Sequence, residues 1–296
     1  MKTTTNAVAR LARAYPTRRA FITGGASGFG AALARRMVTE GWTVGLLDRD
    51  SAALDLLANE LGHANVTIFE ADVRDEQAVD RALDAFAVPG LELMVNAAGI
   101  GAGGSIAELG AEVWREVMDV NVLGVVHGTR AALRHMKPRD RGIIWNIASA
   151  AAFHGLPRVG VYNASKAAVV ALSEALAAEL ALEGSRVRVA VKMTTFYRSS
   201  IDRWTLGSAS DVTRTRRLME RSGLDAEDVV NRSLPLLARG DFYIVLPAFA
   251  RALWRFKRLS PALYLRVLPG LTRRLLRSLD ATPQGDDSRS SVGKNR

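Results

Sequence analysis

The stretch Arg18-Arg19-Ala20-Phe21-Ile22-Thr23-Gly24-Gly25-Ala26-Ser27-Gly28-Phe29-Gly30 decides the fold. Its first part is a short apolar run that predicts a strand, and residues 31–40 beyond it have helical composition. A glycine-rich turn between a strand and a helix is a phosphate cradle. Glycines let backbone N–H groups come close to an anion, and the helix N-terminus faces it with its positive end. The spacing is T-G-x-x-x-G-x-G rather than the commoner G-x-G-x-x-G, and it makes Gly24, Ser27, Gly28, Phe29 and Gly30 the candidate phosphate-side residues.

Outward from this turn, residues 42–47 form a second apolar run that closes on Asp48-Arg49-Asp50. An acid at the end of the second strand suits a hydrogen bond to an adenosine ribose. Asp48 would repel a 2′-phosphate and argues for NAD, whereas the Arg49 guanidinium would accept that phosphate, so NADP is the alternative. Residues 51–61 read as a helix capped by Ser51. A third strand over 66–69 precedes Asp72 and Val73, where Asp72 either meets an adenine amino group or caps the next helix. A fourth strand ends in Asn96-Ala97-Ala98-Gly99, residues 100–105 read as a loop, and 111–134 have helical periodicity around Asn121. Strands alternating with helices predict a doubly wound parallel sheet with helices on both faces and a ligand at the carboxyl ends of its strands. Gly24, Asp48, Asp72, Asn96 and Ser149 all fall at or just past those ends.

Further along stands Tyr162-Asn163-Ala164-Ser165-Lys166. Tyr162 and Lys166, four apart on a helix, share a face. A phenol titrates near pH 10, and a nearby ammonium favours its ionised form, which makes the pair a usable proton donor and acceptor. Ser149 ends the apolar run 142–148, where its hydroxyl can hydrogen-bond a carbonyl oxygen that the tyrosine protonates. In isolation Tyr-x-x-x-Lys would be an exposed helix pair, and its setting decides against that.

At 296 residues the chain fits one large or two small domains, with ordinary hydrophobic (48%) and charged (24%) content. It has no cysteine, and four scattered histidines (His63, His127, His135, His154) lack ligand spacing, so a metal site is not expected. No apolar run is long enough to span a bilayer, and a cytoplasmic location is expected. Residues 1–19 are basic and free of acids, which also fits a transit peptide. A net charge of +10 fits nucleic acid, an anionic membrane, or an alkaline protein with no such partner.

Taken together, these residues resemble the short-chain dehydrogenase/reductase family in its single-domain branch. The resemblance rests on Thr23 to Gly30, Asp72, Asn96-Ala97-Ala98-Gly99, Asn121, Ser149 and Tyr162-x-x-x-Lys166, and it covers roughly residues 19–247. It implies a Rossmann sheet of about seven strands and hydride transfer between a nicotinamide cofactor and a secondary alcohol or ketone. By that resemblance Tyr162 is the general acid/base, Ser149 orients the substrate oxygen, Lys166 lowers the tyrosine pKa and binds the nicotinamide ribose, and Asn121 holds a relay water. After the sixth strand, read over 187–191, the family usually has Pro-Gly and then a threonine for the carboxamide. Here Thr194-Thr195 and Ser199 align with them, so Thr195 and Ser199 join the expected cofactor contacts. Loss of Pro and Gly puts the geometry of that loop in question.

Selectivity is expected from residues 101–105, 150–157 and 196–219, with Phe153, His154, Leu156, Phe196, Tyr197 and Trp204 lining an apolar substrate pocket or belonging in part to the core. The domains read as an N-terminal segment over 1–17, helical or disordered, a catalytic domain over 18–247, a basic amphipathic extension over 248–280, and a disordered tail over 281–296. The extension carries eight basic residues from Arg251 to Arg277 and no acid, with apolar residues at helical intervals and breaks expected at Pro261 and Pro269. Packing on the domain or on a second subunit is the preferred reading, and contact with an anionic membrane is the alternative. A dimer or tetramer is implied by the family, and no nucleic-acid motif is found. The functional reading is an NAD-dependent alcohol dehydrogenase or ketone reductase. Its alternatives are an NADPH-dependent carbonyl reductase and a non-catalytic dinucleotide-sensing scaffold.

Overall fold

Strand β1 (Arg19–Thr23) is buried over its last four residues, so a continuous apolar run forms a central strand covered on both faces. Strands β2 (Thr43–Asp48), β4 (Leu93–Asn96), β6 (Ile143–Ile147) and β7 (Arg188–Thr194) are likewise buried along most of their length, with Asn146 and Lys192 among their buried residues. With β3 (Val66–Glu70) and β9 (Tyr243–Leu246) they build one parallel sheet in the order β3-β2-β1-β4-β6-β7-β9. The winding direction reverses between β1 and β4, and the crevice at that switch point is where an open α/β sheet takes its ligand. The computed structural model describes residues 2–280, and the expected polar tail over 281–296 lies outside the described residues.

One face of the sheet carries α1 (Lys2–Ala14), α2 (Gly28–Thr39), α3 (Ser51–Leu61) and α10 (Ala226–Arg239) around Phe29, Leu33, Trp145 and Leu234. The N-terminal segment is therefore helical: Val8, Leu11 and Tyr15 are buried, and α1 packs against α10. The other face carries α4 (Glu76–Phe86), α5 (Ala111–Met118), α6 (Gly124–Met136) and α8 (Gly160–Leu182). Asp50, not Ser51, caps α3, its carboxylate accepting from the Ala53 N–H at 3.0 Å.

Three local expectations change. The helix expected over 111–134 contains a π turn, Asp119–Leu123, between α5 and α6. The expected loop over 100–105 contains β5 (Gly101–Gly103), which pairs in parallel with β8 (Thr205–Gly207). Strand β7 runs past residue 191 to Thr194, which encloses Lys192 in the sheet. Between β7 and α10 lie the short helix Ser200–Trp204, β8 and α9 (Ala209–Glu220).

Residues 1–255 and 256–296 form two compact units. Helix α11 (Ala248–Leu259) runs out of the first unit, and α12 (Pro261–Asp280) belongs to the second. The break expected at Pro261 is a helix start, where proline lacks only an N–H that would be unpaired anyway. The break expected at Pro269 is absent, and α12 continues through it.

Candidate active site

The glycine turn is shaped by contacts that exclude any side chain. Gly24 has φ +64°, and a Cβ there would lie 2.7 Å from the Ala98 backbone. A Cβ on Gly30 would lie 2.1 Å from the Gly24 carbonyl oxygen. The turn thus closes on the end of β4, where the Ala97 N–H donates to the Thr23 carbonyl at 3.2 Å. Ser27 precedes α2 without capping it, and the first turn of α2 holds no acid. The first N–H groups of α2 are left for a ligand, a fit to a diphosphate. Phe29 meets buried Trp145 edge-on at 5.4 Å and anchors the start of α2 to the sheet.

Asp48 ends β2 and reaches back to this turn, accepting from the Ala26 N–H at 3.1 Å and the Asp50 N–H at 3.2 Å. Burial pushes its carboxyl above the usual range, against the pull of those bonds. Arg49 stacks over the Trp204 ring at 4.1 Å. The two residues that argued for opposite cofactors are thereby both engaged, one with the phosphate turn and the other with the substrate-side segment. Asp72 neither caps α4, a role taken by Asp75, nor stands alone. It is paired with Arg74 at 2.7 Å. Burial pushes its carboxyl up, and the bonds from Arg74 outweigh that and leave it lowered. Val73 is buried, and its carbonyl meets His127 Nδ1 at 2.8 Å.

Asn96 turns into the core. Its amide donates to Asn146 Oδ1 at 2.8 Å and to Thr129 Oγ1 at 3.2 Å, and Asn146 donates on to Ser173 at 2.9 Å. This buried polar chain ties β4 to β6 and α8 rather than pointing Asn96 at a ligand. Asn121, in the π turn, accepts from the Ile100 N–H at 2.8 Å and donates to the Ile100 carbonyl and Ser165 Oγ, each at 3.0 Å. Its side chain thus holds the segment after β4 against α8. Next to it, a Cβ built on Gly99 would lie 3.1 Å from Asn121 Oδ1 and 3.2 Å from Lys166 Nζ.

Ser149, Tyr162 and Lys166 come together at the carboxyl edge of β6. Ser149 Oγ accepts from the Ala151 N–H at 3.1 Å. Lys166 donates to the Ile147 carbonyl at 3.1 Å, and its ammonium lies 5.7 Å from the Tyr162 ring centroid. Burial pushes the Tyr162 phenol above its ordinary value, and a hydrogen bond with Ser149 partly opposes this. Burial brings Lys166 down to about 8. The phenol is thus raised rather than lowered, and what opposes burial is the Ser149 bond and not the expected Lys166 charge.

The Thr194-Thr195 pair needs neither proline nor glycine. Thr195 is not among the residues with positive φ, and its N–H donates to the Leu246 carbonyl at 3.2 Å. A threonine pair prolongs the β7–β9 ladder instead of ending it. Beyond it, Ser199 and Ser200 lie over the phosphate turn, each within 3.7 Å of where a Gly28 Cβ would stand. The segment 200–220 is held by the β5–β8 pairing and by Arg158, which grips Asp211 at 2.8 and 2.9 Å. The Arg158 bonds pull the Asp211 carboxyl down to about 2.

Of the expected substrate-pocket residues, Phe153 is buried in the core with Val169 and Val191, its ring 4.6 Å from that of His154. Leu156 is half-buried, and its carbonyl accepts from Asn163 at 2.8 Å. Phe196 is half-buried, its carbonyl accepting from Ser222 at 2.7 Å. Tyr197 packs against the α2-side core, and burial and then the nearness of Tyr162 push its phenol up. Trp204 is the most open of the set, at 36%.

Lys192 is the residue that sequence reasoning missed. It is 1% exposed, with its ammonium 3.7 Å from the Phe29 ring centroid and 5.1 Å from that of Tyr197. Burial, and then the charge of Lys166, push it well below the ordinary lysine value. The signal is a second cation, after Arg188, in the otherwise apolar run Val187-Arg188-Val189-Ala190-Val191-Lys192-Met193, where Lys192 reads as the residue just past a strand over 187–191.

The sequence matches the family described as short chain dehydrogenase over residues 18–203. It is 34% identical over 224 residues to the "Inactive 2-(S)-hydroxypropyl-CoM dehydrogenase 2" of Xanthobacter autotrophicus, covering 74% of this chain and 96% of that protein. It is 40% identical over 184 residues to the galactitol 2-dehydrogenase (L-tagatose-forming) of Cereibacter sphaeroides, covering 59% of this chain and 72% of that protein. A solved short chain dehydrogenase/reductase from Burkholderia phymatum, in complex with NAD, is similar with a TM-score of 0.78 and 31% identity, covering 83% of this chain and 94% of that one. With the seven-stranded parallel sheet, the glycine turn at its switch point and the matched length, this chain belongs to the short-chain dehydrogenase family of oxidoreductases.

Proposed function

We propose that this chain is an NAD-dependent alcohol dehydrogenase or ketone reductase that acts on a secondary alcohol or ketone with an apolar body. The observation that carries the reading is the meeting of Ser149, Tyr162 and Lys166 at the strand ends beside the glycine turn. The first turn of α2 would hold the diphosphate, Asp48 the adenosine ribose, Lys166 the nicotinamide ribose, and Ser199 the carboxamide. Bound there, a nicotinamide supplies the hydride donor or acceptor, and the protein supplies position and the proton.

A Tyr162 phenol raised by burial keeps its proton at neutral pH, so it can donate to the oxygen of a carbonyl substrate. Ser149, bonded to the phenol, is placed to hold the same oxygen. Lys166, at about 8, is largely charged at pH 7 and favours negative charge developing on the phenol. Similarity to a relative whose name calls it inactive makes these three residues, rather than family membership, the support for activity. NAD is favoured because Asp48 occupies the ribose side and Arg49 is already stacked on Trp204. Assembly into a dimer or tetramer is part of the same reading.

The test is titration of the purified full chain with NADH and with NADPH, followed by nicotinamide fluorescence and then by turnover of secondary alcohols. Tighter NADH binding with turnover is expected. Tighter NADPH binding would move the assignment to an NADPH-dependent carbonyl reductase, and binding of neither would overturn the reading.

A further inference from the structure

The second unit presents a surface that the catalytic reading does not use. In α12, Leu263, Val267 and Leu271 recur every fourth residue, and about 40° separates successive members, so they form one row along the helix. They are 48%, 40% and 41% exposed. Only Tyr264 and Thr272 are buried in the part of α12 whose side chains are described, with Leu268 half-buried between them. The Tyr264 ring meets Phe256 at 6.1 Å and the Lys257 ammonium at 5.5 Å within the same unit. These contacts lie within the extension itself, and the row beside Tyr264 is open.

The charge along this row has one sign. Arg266 and Arg274 stand three residues beyond Leu263 and Leu271, so each borders the row, and Arg273 lies seven beyond Arg266 on the same side. All three are exposed. From Ala248 to Leu279 there is no acid at all. No described helix is long and apolar enough to cross a membrane, so the row has the length and charge of a surface-lying helix rather than a spanning one.

We propose that α12 lies on an anionic lipid surface, with Leu263, Val267 and Leu271 in the headgroup–acyl boundary and Arg266, Arg273 and Arg274 on lipid phosphates. Nucleic acid would use the arginines and leave exposed leucines without a partner. A lipid surface uses both. The inference concerns the second unit and stands apart from the catalytic reading.

The test is co-sedimentation of the full chain with vesicles of phosphatidylcholine alone and of phosphatidylcholine with about one third phosphatidylglycerol. Binding is expected to the anionic vesicles only, and to weaken at least about tenfold in high salt, as expected for basic residues on anionic lipid. The triple variant Leu263→Ser, Val267→Ser, Leu271→Ser and the triple variant Arg266→Gln, Arg273→Gln, Arg274→Gln should each lose about tenfold or more in partitioning. Both should keep the parent's NADH affinity and circular dichroism. Equal sedimentation with and without anionic lipid would overturn the proposal, as would vesicle binding unchanged in both variants. So would a lipid-free oligomer that dissociates only in the leucine variant, because a second copy would then cover the row. RNA binding that survives the leucine variant, with no vesicle binding, would overturn it too.

Discussion

The Lys192 ammonium lies 3.7 Å from the centroid of the Phe29 ring, so a cation inside β7 faces the first helical turn of the glycine cradle. Among the described residues only burial and the Lys166 charge shift its pKa, and no carboxylate does. An ammonium held by ring faces alone recovers only part of its lost hydration. Lys192→Met keeps the length and removes the charge, and it should stabilise the fold by about 1 kcal/mol or more at pH 7, read by urea denaturation. A variant less stable than the parent would mean that the ammonium has a stronger partner than the two rings.

The same burial makes stability depend on pH. Lys166 falls from an ordinary 10.5 to about 8 in the folded chain. Between those values the unfolded chain binds more protons, so stability rises with pH. Below about 8 the lysine is protonated in both states and the full penalty is present. The urea midpoint should therefore climb from pH 8 to 10. The climb should shrink in Lys166→Met, and Lys192→Met should remove a further portion. A flat profile in the parent would refute this.

Tyr162→Phe should fold normally, bind NADH with the parent's affinity and lose about 10²–10⁴-fold in kcat. Ser149→Ala should lose less, because the phenol remains. Stopped-flow turnover beside a nucleotide titration separates the two effects. Full turnover in Tyr162→Phe would remove the proposed acid/base.

Asp211 is drawn down to about 2 by Arg158, and its carboxylate is nearly fully buried in the segment 200–220. Its contribution is present above the ordinary carboxylate value near 3.8 and is lost as pH falls toward 2. Asp211→Asn should loosen the segment above about pH 4 by about 1.5–3 kcal/mol, the range for a hydrogen bond to a charged group, and by less as pH falls toward 2. Tryptic cleavage at Arg214, Arg216 and Arg217 should then quicken at pH 7, with KM raised more than kcat is lowered. Cleavage as slow as in the parent would show that the β5–β8 pairing holds the segment alone.

Asp48→Ala should weaken NADH binding about 10–100-fold, the cost of a lost charged hydrogen bond, and bring NADPH closer to it. Arg49→Ala should change the emission of Trp204 without restoring NADH binding. A selectivity ratio unchanged in Asp48→Ala would take that residue out of cofactor choice.

The frame of this molecule was legible because its signals repeat. Most strands are apolar runs with a polar residue or glycine at or just past the same edge, so Gly24, Asp48, Asp72 and Ser149 can be placed together from the sequence alone. What lay beyond reach involves side chains meeting across distant segments. Asp48 and Arg49 are adjacent in sequence, but only the folded chain shows one turned to Ala26 and the other to Trp204. Asn96 is a plausible ligand contact by position, yet its amide nitrogen donates to Asn146 and Thr129 inside the core. Thr194-Thr195 looked like a lost restraint because the family pattern was the reference, whereas the backbone there adopts a conformation open to most residues. Lys192 escaped because a charge usually ends a strand, and here the surrounding rings tolerate it.

The Arg49–Trp204 stack has a kinetic consequence. It joins the end of β2 to the short helix Ser200–Trp204. In the proposed reading that bridge ties binding of the dinucleotide to ordering of the segment that meets the substrate. Catalysis should then be compulsory-order, with dinucleotide first on and last off, and product inhibition patterns should report Trp204 as the gate between the two reactants.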